Sequence, residues 1–145
     1  MEKERVTFNV SVQALIYNDN DEILLLKRQN TGYEDGHYSL PGGHLESCEK
    51  VNDGLIRELE EEIGVSFKED ELKLIKVLNR YVDGNNYLDF VFKTDIKKRI
   101  PTNLEPNVCS ELVWKKTNDL SETIDYIKEL FRSDEVFLNI EKEIL

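Results

Sequence analysis

Four of the five residues from Glu58 to Glu62 are glutamates, Leu59 being the exception. At about 100° per residue on a helix, Glu58, Glu61 and Glu62 stand at i, i+3 and i+4 and share one face, while Glu60 points to solvent with Asp53. Two unit charges about 5–6 Å apart repel by roughly 3 kcal/mol at an effective dielectric of 20, and by well under 1 kcal/mol in open water. A solvated acidic face would carry that repulsion easily. A face lining a cleft needs compensation. Arg57, at i, i+4 to Glu61, supplies one positive charge against three carboxylates. A hard divalent cation, Mg²⁺ or Mn²⁺, would supply the rest, because both prefer carboxylate and carbonyl oxygen.

The spacing predicts a helix over residues 49–63 to carry these groups, with Ser47 as N-cap and Gly64 where a helix-ending glycine belongs. Val51, Leu55, Ile56, Leu59 and Ile63 gather on one broad face that must pack on a sheet. Gly54 lies one turn before Glu58, where glycine costs about 1 kcal/mol against alanine. It is either tolerated there or needed so that another segment can approach the carboxylates. The segment expected to approach is LPGGHLE, residues 40–46. A Pro-Gly-Gly turn can aim a carbonyl at a metal or amides at a phosphate.

The rest of the chain reads as strands with a second helix. Residues 6–17 and 22–28 form a predicted hairpin around the turn NDND, followed by a long loop over 29–46 with a short strand near Tyr38–Leu40. A loop of that length inside a domain is more often functional than not. Residues 72–82 and 86–96 pair around DGNN, residues 111–116 add a strand, and residues 121–132 have helical apolar spacing. The expected class is α/β with a mixed sheet.

The 145 residues fit a single domain, 1–145, with a real core. A net charge of −11 argues against a nucleic acid polymer or an anionic membrane as partner, since both select basic surfaces. It leaves room for an anionic small molecule bridged by metal. Cys48 and Cys109 have no zinc-ligand spacing and read as free thiols of a reducing compartment. No apolar run is long enough to span a bilayer and the first residues lack a signal core, so the expected location is the cytoplasm.

Taken in order, Gly43, Glu49, Arg57, Glu58, Leu59, Glu61, Glu62, Gly64 and Val65 match the Nudix box, G-x5-E-x7-R-E-U-x-E-E-x-G-U with U a bulky aliphatic, at every specified position. The chain therefore resembles the Nudix hydrolases, and small MutT-like members in particular. The resemblance implies an α/β/α sandwich and metal-dependent hydrolysis of a nucleoside diphosphate linked to another group. It implies Mg²⁺, with Mn²⁺ as substitute, held by Glu58, Glu61, Glu62 and the main-chain carbonyl of Gly42. It implies that Arg57 orients Glu58 or Glu61 and that Glu49 supports the loop. Some members take their base from a later loop, where Glu105 and Glu111 stand, and Glu105 is favoured. For a small MutT-like protein it points to a nucleoside triphosphate cut to monophosphate and pyrophosphate, and family members are often dimers. The competing reading is a nucleotide-binding or regulatory module without turnover, which a degenerate box would favour. Arg28, Tyr33, His37 and His44 are the candidates for contacting substrate, with Tyr38, Tyr81, Tyr87, Phe92 and Trp114 as further aromatics able to bracket a base.

Overall fold

The computed structural model describes residues 3–142. Residues 1–2 and 143–145 of the expected single domain lie outside the described residues. In chain order the elements are β1 (Asn9–Tyr17), β2 (Glu22–Arg28), β3 (Tyr38–Ser39), β4 (Gly42–His44), α1 (Val51–Ile63), β5 (Lys73–Val82), β6 (Asn85–Asp95), β7 (Cys109–Lys116), α2 (Asp125–Glu129) and β8 (Phe137–Lys142), with a 3-10 turn at Glu69–Glu71 before β5.

One mixed sheet contains all eight strands of the described residues. β1 runs parallel to β6 along its whole length. β6 pairs antiparallel with β5, and β5 pairs parallel with β8. On its other edge β1 meets β2 only at Tyr17–Ile23, because β2 then diverges to pair with β3 and β7. The opened space is filled by β4, which pairs with β1 at Ser11–His44, Val12–Gly43 and Gln13–Gly42.

Side-chain alternation along β1 divides the core into two layers. Val12, Ala14 and Ile16 pack with Leu55, Leu59 and Ile63 of α1. Leu15 packs with Leu78, Val91, Ile124, Ile127 and Leu130 on the side of α2. A strand covered on both faces is buried throughout, and Ser11–Ile16 are. The result is the expected α/β/α sandwich.

Several local expectations change. Ser47 does not cap α1. The residue before the helix is Lys50, in extended conformation and with no side-chain cap. The chain from His44 to Lys50 turns through Cys48 at φ 62° to bring Glu49 beneath Arg57, and this keeps Ser47 away from the helix end. Gly64 ends α1 as expected, at φ 69°, with its N–H donating to the Glu60 carbonyl. The double glycine forms a strand rather than a free turn. α2 is one short stretch instead of twelve residues. β8 is an addition, docked in part by Lys76, whose buried ammonium donates to the carbonyls of Ser133 and Glu135.

Candidate active site

Arg57 organises the acidic end of α1. Its Nε and Nη2 form two parallel bonds to Glu49, at 2.8 and 3.0 Å. Its Nη1 donates to Glu58 at 2.9 Å and to Glu61 at 3.3 Å, and its Nη2 also reaches the His44 carbonyl at 3.1 Å. One planar fork thus ties α1 to the segment leaving β4. The Arg57 bonds and the Glu46 amide hold the Glu49 carboxyl at about 2, well below the usual carboxylate range, and Arg57 itself is pushed up.

The glycines allow this closeness. An added Cβ on Gly43 would stand 2.3 Å from the Glu58 carboxyl carbon. One on Gly54 would stand 2.5 Å from Leu45 and 2.9 Å from a Glu49 oxygen, so Gly54 does admit the approaching segment, and that reading of it prevails over simple tolerance. Gly42 sits at φ 147°, and an added Cβ there would meet the Val12 carbonyl oxygen at 2.0 Å.

Glu62 occupies a different position from its neighbours. The Gly42 amide donates to its carboxylate at 2.9 Å. Burial pushes the Glu62 carboxyl up to about 8, opposed by that amide and reinforced by the charges of Glu105 and Glu58. Burial likewise raises Glu58, opposed by Arg57 and reinforced by Glu61 and Glu105. Glu105 therefore belongs to the same electrostatic cluster. Its loop is fixed to the end of α1 by the Leu104 amide bonded to the Glu62 carbonyl. Glu111 lies elsewhere, accepting from the Tyr38 hydroxyl, and this bond lifts the tyrosine to about 12.

Among the described residues, no three His, Cys, Asp or Glu side chains converge closely enough to form a ready-made metal cage. Glu58 and Glu61 turn to Arg57, and Glu62 turns to Gly42. The donor set nonetheless suits a hard divalent cation. It is all oxygen, and the half-buried Glu62 carboxyl, raised by its surroundings and by the charges of Glu58 and Glu105, would be stabilised in its ionised form by a cation. It is the Gly42 amide that faces Glu62.

Of the residues expected to contact substrate, Arg28, Tyr33 and His44 line a cleft of about 380 Å³ with Gly42 and Gly43. Arg28 donates to the Tyr33 carbonyl at 2.7 Å and stacks on its ring. His37 does not join them; it is exposed and pairs with Glu34 at 3.5 Å. Of the other aromatic candidates from the sequence only Tyr87 lines this cleft. Tyr38 and Phe92 are buried, Trp114 packs against the α1 layer, and Tyr81 faces outward. The sequence reading missed Arg80, Asp89, Ser11, Gln13 and Tyr126, which complete the cleft wall. A signal was available: Arg80 follows the inward pattern of Leu78 on β5, and Asp89 that of Val91 on β6, so both put charge on a face that is otherwise core.

Comparison with known proteins agrees with this geometry. The NUDIX domain family matches residues 7–134. An uncharacterized Nudix hydrolase of Bacillus subtilis, YvcI, is 28% identical over 120 residues, covering 79% of this chain and 71% of that protein. The ADP-ribose pyrophosphatase of Methanocaldococcus jannaschii is 43% identical over 56 residues, but that match covers 39% of this chain and only 32% of its relative. The crystal structure of a MutT NUDIX hydrolase from Burkholderia pseudomallei superimposes with a TM-score of 0.76 at 27% identity, covering 87% of this chain and 97% of the other. With the matched region enclosing the whole Arg57 network and both layers of the sandwich, this chain belongs to the Nudix family.

Proposed function

We propose that this protein hydrolyses the phosphoanhydride of a nucleoside diphosphate linked to another group, with a nucleoside triphosphate cut to monophosphate and pyrophosphate as the leading case. The observation that carries the reading is the Arg57 fork, which holds Glu49 and Glu58 beside a glycine strand while the half-buried Glu62 carboxylate accepts from the Gly42 amide of that strand. Relatives named for ADP-ribose and 8-oxo-dGTP hydrolysis support the substrate class.

Glu58, Glu61 and Glu62 would hold Mg²⁺ or Mn²⁺ with the Gly42 carbonyl, and the ion would neutralise charge developing on the phosphoryl oxygens. This chain's residues then have distinct tasks. Arg57 fixes the rotamer of Glu58 and keeps Glu49 ionised. Glu105, next to Glu58 and Glu62 in the field of the cluster, accepts the proton of the attacking water. Arg28 and His44 line the cleft where phosphate oxygens would lie.

No helix among the described residues is long and apolar enough to cross a membrane. Cys48 is exposed and Cys109 buried, both free, which supports a reducing, cytoplasmic setting.

The deciding experiment incubates the protein with a panel of nucleotides and nucleotide sugars, with Mg²⁺ and with excess chelator. Cleavage between phosphorus atoms that stops on chelation and returns with Mg²⁺ or Mn²⁺ is the expected result. Nucleotide binding without turnover would instead favour the regulatory module.

A further inference from the structure

We propose that Arg80 is a specificity-determining residue of this groove, selecting a nucleobase with a carbonyl edge, guanine or hypoxanthine, over adenine. The inference rests on the nucleotide reading above and adds which base is taken.

The cleft beside Gly42 and Gly43 continues into a second lobe of about 390 Å³, and the two share Tyr33, Arg80, Ile124 and Tyr126. The first lobe holds Arg28, His44 and the glycine strand, which suit phosphate. The second is lined by Asp125, Glu129 and Glu141. Asp125 and Glu129 are offset by Lys128 and Arg132, while Val82, Ile124 and Ile140 give the lobe an apolar wall that suits a neutral occupant.

Arg80 stands at the junction in a fixed orientation. Its Nε and Nη2 both donate to Asp89, which is fully buried. Asp89 is itself held by the Ser11 hydroxyl and the Gln13 amide nitrogen, and the Tyr126 hydroxyl donates to the Gln13 carbonyl oxygen at 2.9 Å. The rings of Tyr87 and Tyr126 lie 4.8 and 4.1 Å from the guanidinium carbon. With its Nε side taken by Asp89 and its plane packed by tyrosines, the part of the fork left to a ligand is the Nη1–Nη2 end.

That end offers donors only. Guanine and hypoxanthine present O6 and N7, two acceptors, to such a fork, whereas adenine places its N6 donor opposite another donor. Tyr33, 44% exposed and lining both lobes, supplies a ring on which the base can stack. A bidentate pair of this kind discriminates by about tenfold or more.

The test is equilibrium binding of GMP, IMP, AMP and 7-deaza-GMP to the full chain without metal, by titration calorimetry. GMP and IMP should bind at least about tenfold tighter than AMP. 7-Deaza-GMP, lacking the N7 acceptor, should fall between them. Arg80→Lys keeps the charge but not the fork, and should bring the ratio of GMP to AMP affinity down to about one. A purely structural role for Arg80 would weaken all four ligands alike. Should Arg80→Lys fail to fold, the ligand series on the unaltered protein decides alone. AMP binding as tightly as GMP, or no monophosphate binding at all, would overturn the inference. Mg²⁺-dependent hydrolysis without base preference would sink only this inference, and base-selective binding without hydrolysis would sink only the enzymatic reading.

Discussion

Alanine at Gly43 should separate folding from turnover. Gly43 lies outside the left-handed region of backbone space, so alanine introduces no backbone strain there. Its Cβ, however, would fall 2.3 Å from the Glu58 carboxyl carbon and 2.3 and 2.6 Å from the two carboxyl oxygens. Ordinary contact begins near 3.4 Å, so the Glu58 carboxylate must retreat by about 1 Å. The atoms that move are the far end of a flexible side chain, and the fold survives. The loss is the Arg57–Glu58 bond, a charge-assisted contact worth about 1.5 kcal/mol, or a fall of about 5 °C in Tm for a chain of this size. Turnover should suffer more, because displacing a reacting or metal-holding group by about 1 Å costs on the order of a hundredfold. Gly42→Ala makes the contrast: its Cβ would meet the backbone oxygen of Val12 at 2.0 Å from a φ of 147°, so it should impair folding itself. Melting temperature without metal and kcat with Mg²⁺, measured on both variants, check the argument. Gly43→Ala folded and turning over within threefold of the unaltered protein would refute the idea that Glu58 acts from its place against the glycine strand.

Replacing Glu58, Glu61 or Glu62 with glutamine should slow turnover on the order of a thousandfold, equivalent to about 4 kcal/mol of transition-state stabilisation, while Glu60→Gln, on the solvent side of α1, should change it little; equal damage from Glu60→Gln and Glu58→Gln in folded proteins contradicts the assignment of helix faces. The folded-state pKa of Glu62, raised to about 8 from the ordinary 4.5, means that its contribution to metal-free stability is fully present below pH 4.5 and is lost as pH rises toward 8. Melting temperatures across that range should therefore fall in the unaltered protein and fall less in Glu62→Gln. Glu71 should behave in the opposite sense: its bonds to Arg99 hold it at about 2, so its contribution is present above pH 4.5 and lost as pH falls toward 2, and Glu71→Gln should flatten the acid limb of the melting profile.

The periodicity of α1 was enough to set Glu58, Glu61 and Glu62 apart from Glu60, because helical geometry depends only on position along the chain. Alternation and turn chemistry likewise located β2, β5, β6 and β7 to within a few residues, since each carries its own hydrophobic pattern and Asp83–Gly84 supply the positive φ a tight hairpin needs. What sequence could not decide were contacts made between distant segments. Ser47 has the chemistry of an N-cap, yet the pull of Arg57 on Glu49 sets where the chain turns. The double glycine reads as a turn, and becomes a strand only because β1 offers it an edge after β2 diverges. β8 has few local signals and owes its place to β5 and Lys76. The Arg80–Asp89 wall joins residues of two strands to Ser11 and Gln13 far earlier in the chain, so it exists only once β1 and β6 lie side by side. Local spacing fixes which face of an element a side chain occupies; which other face it meets is decided by burial of the whole sheet, and no single segment carries that information.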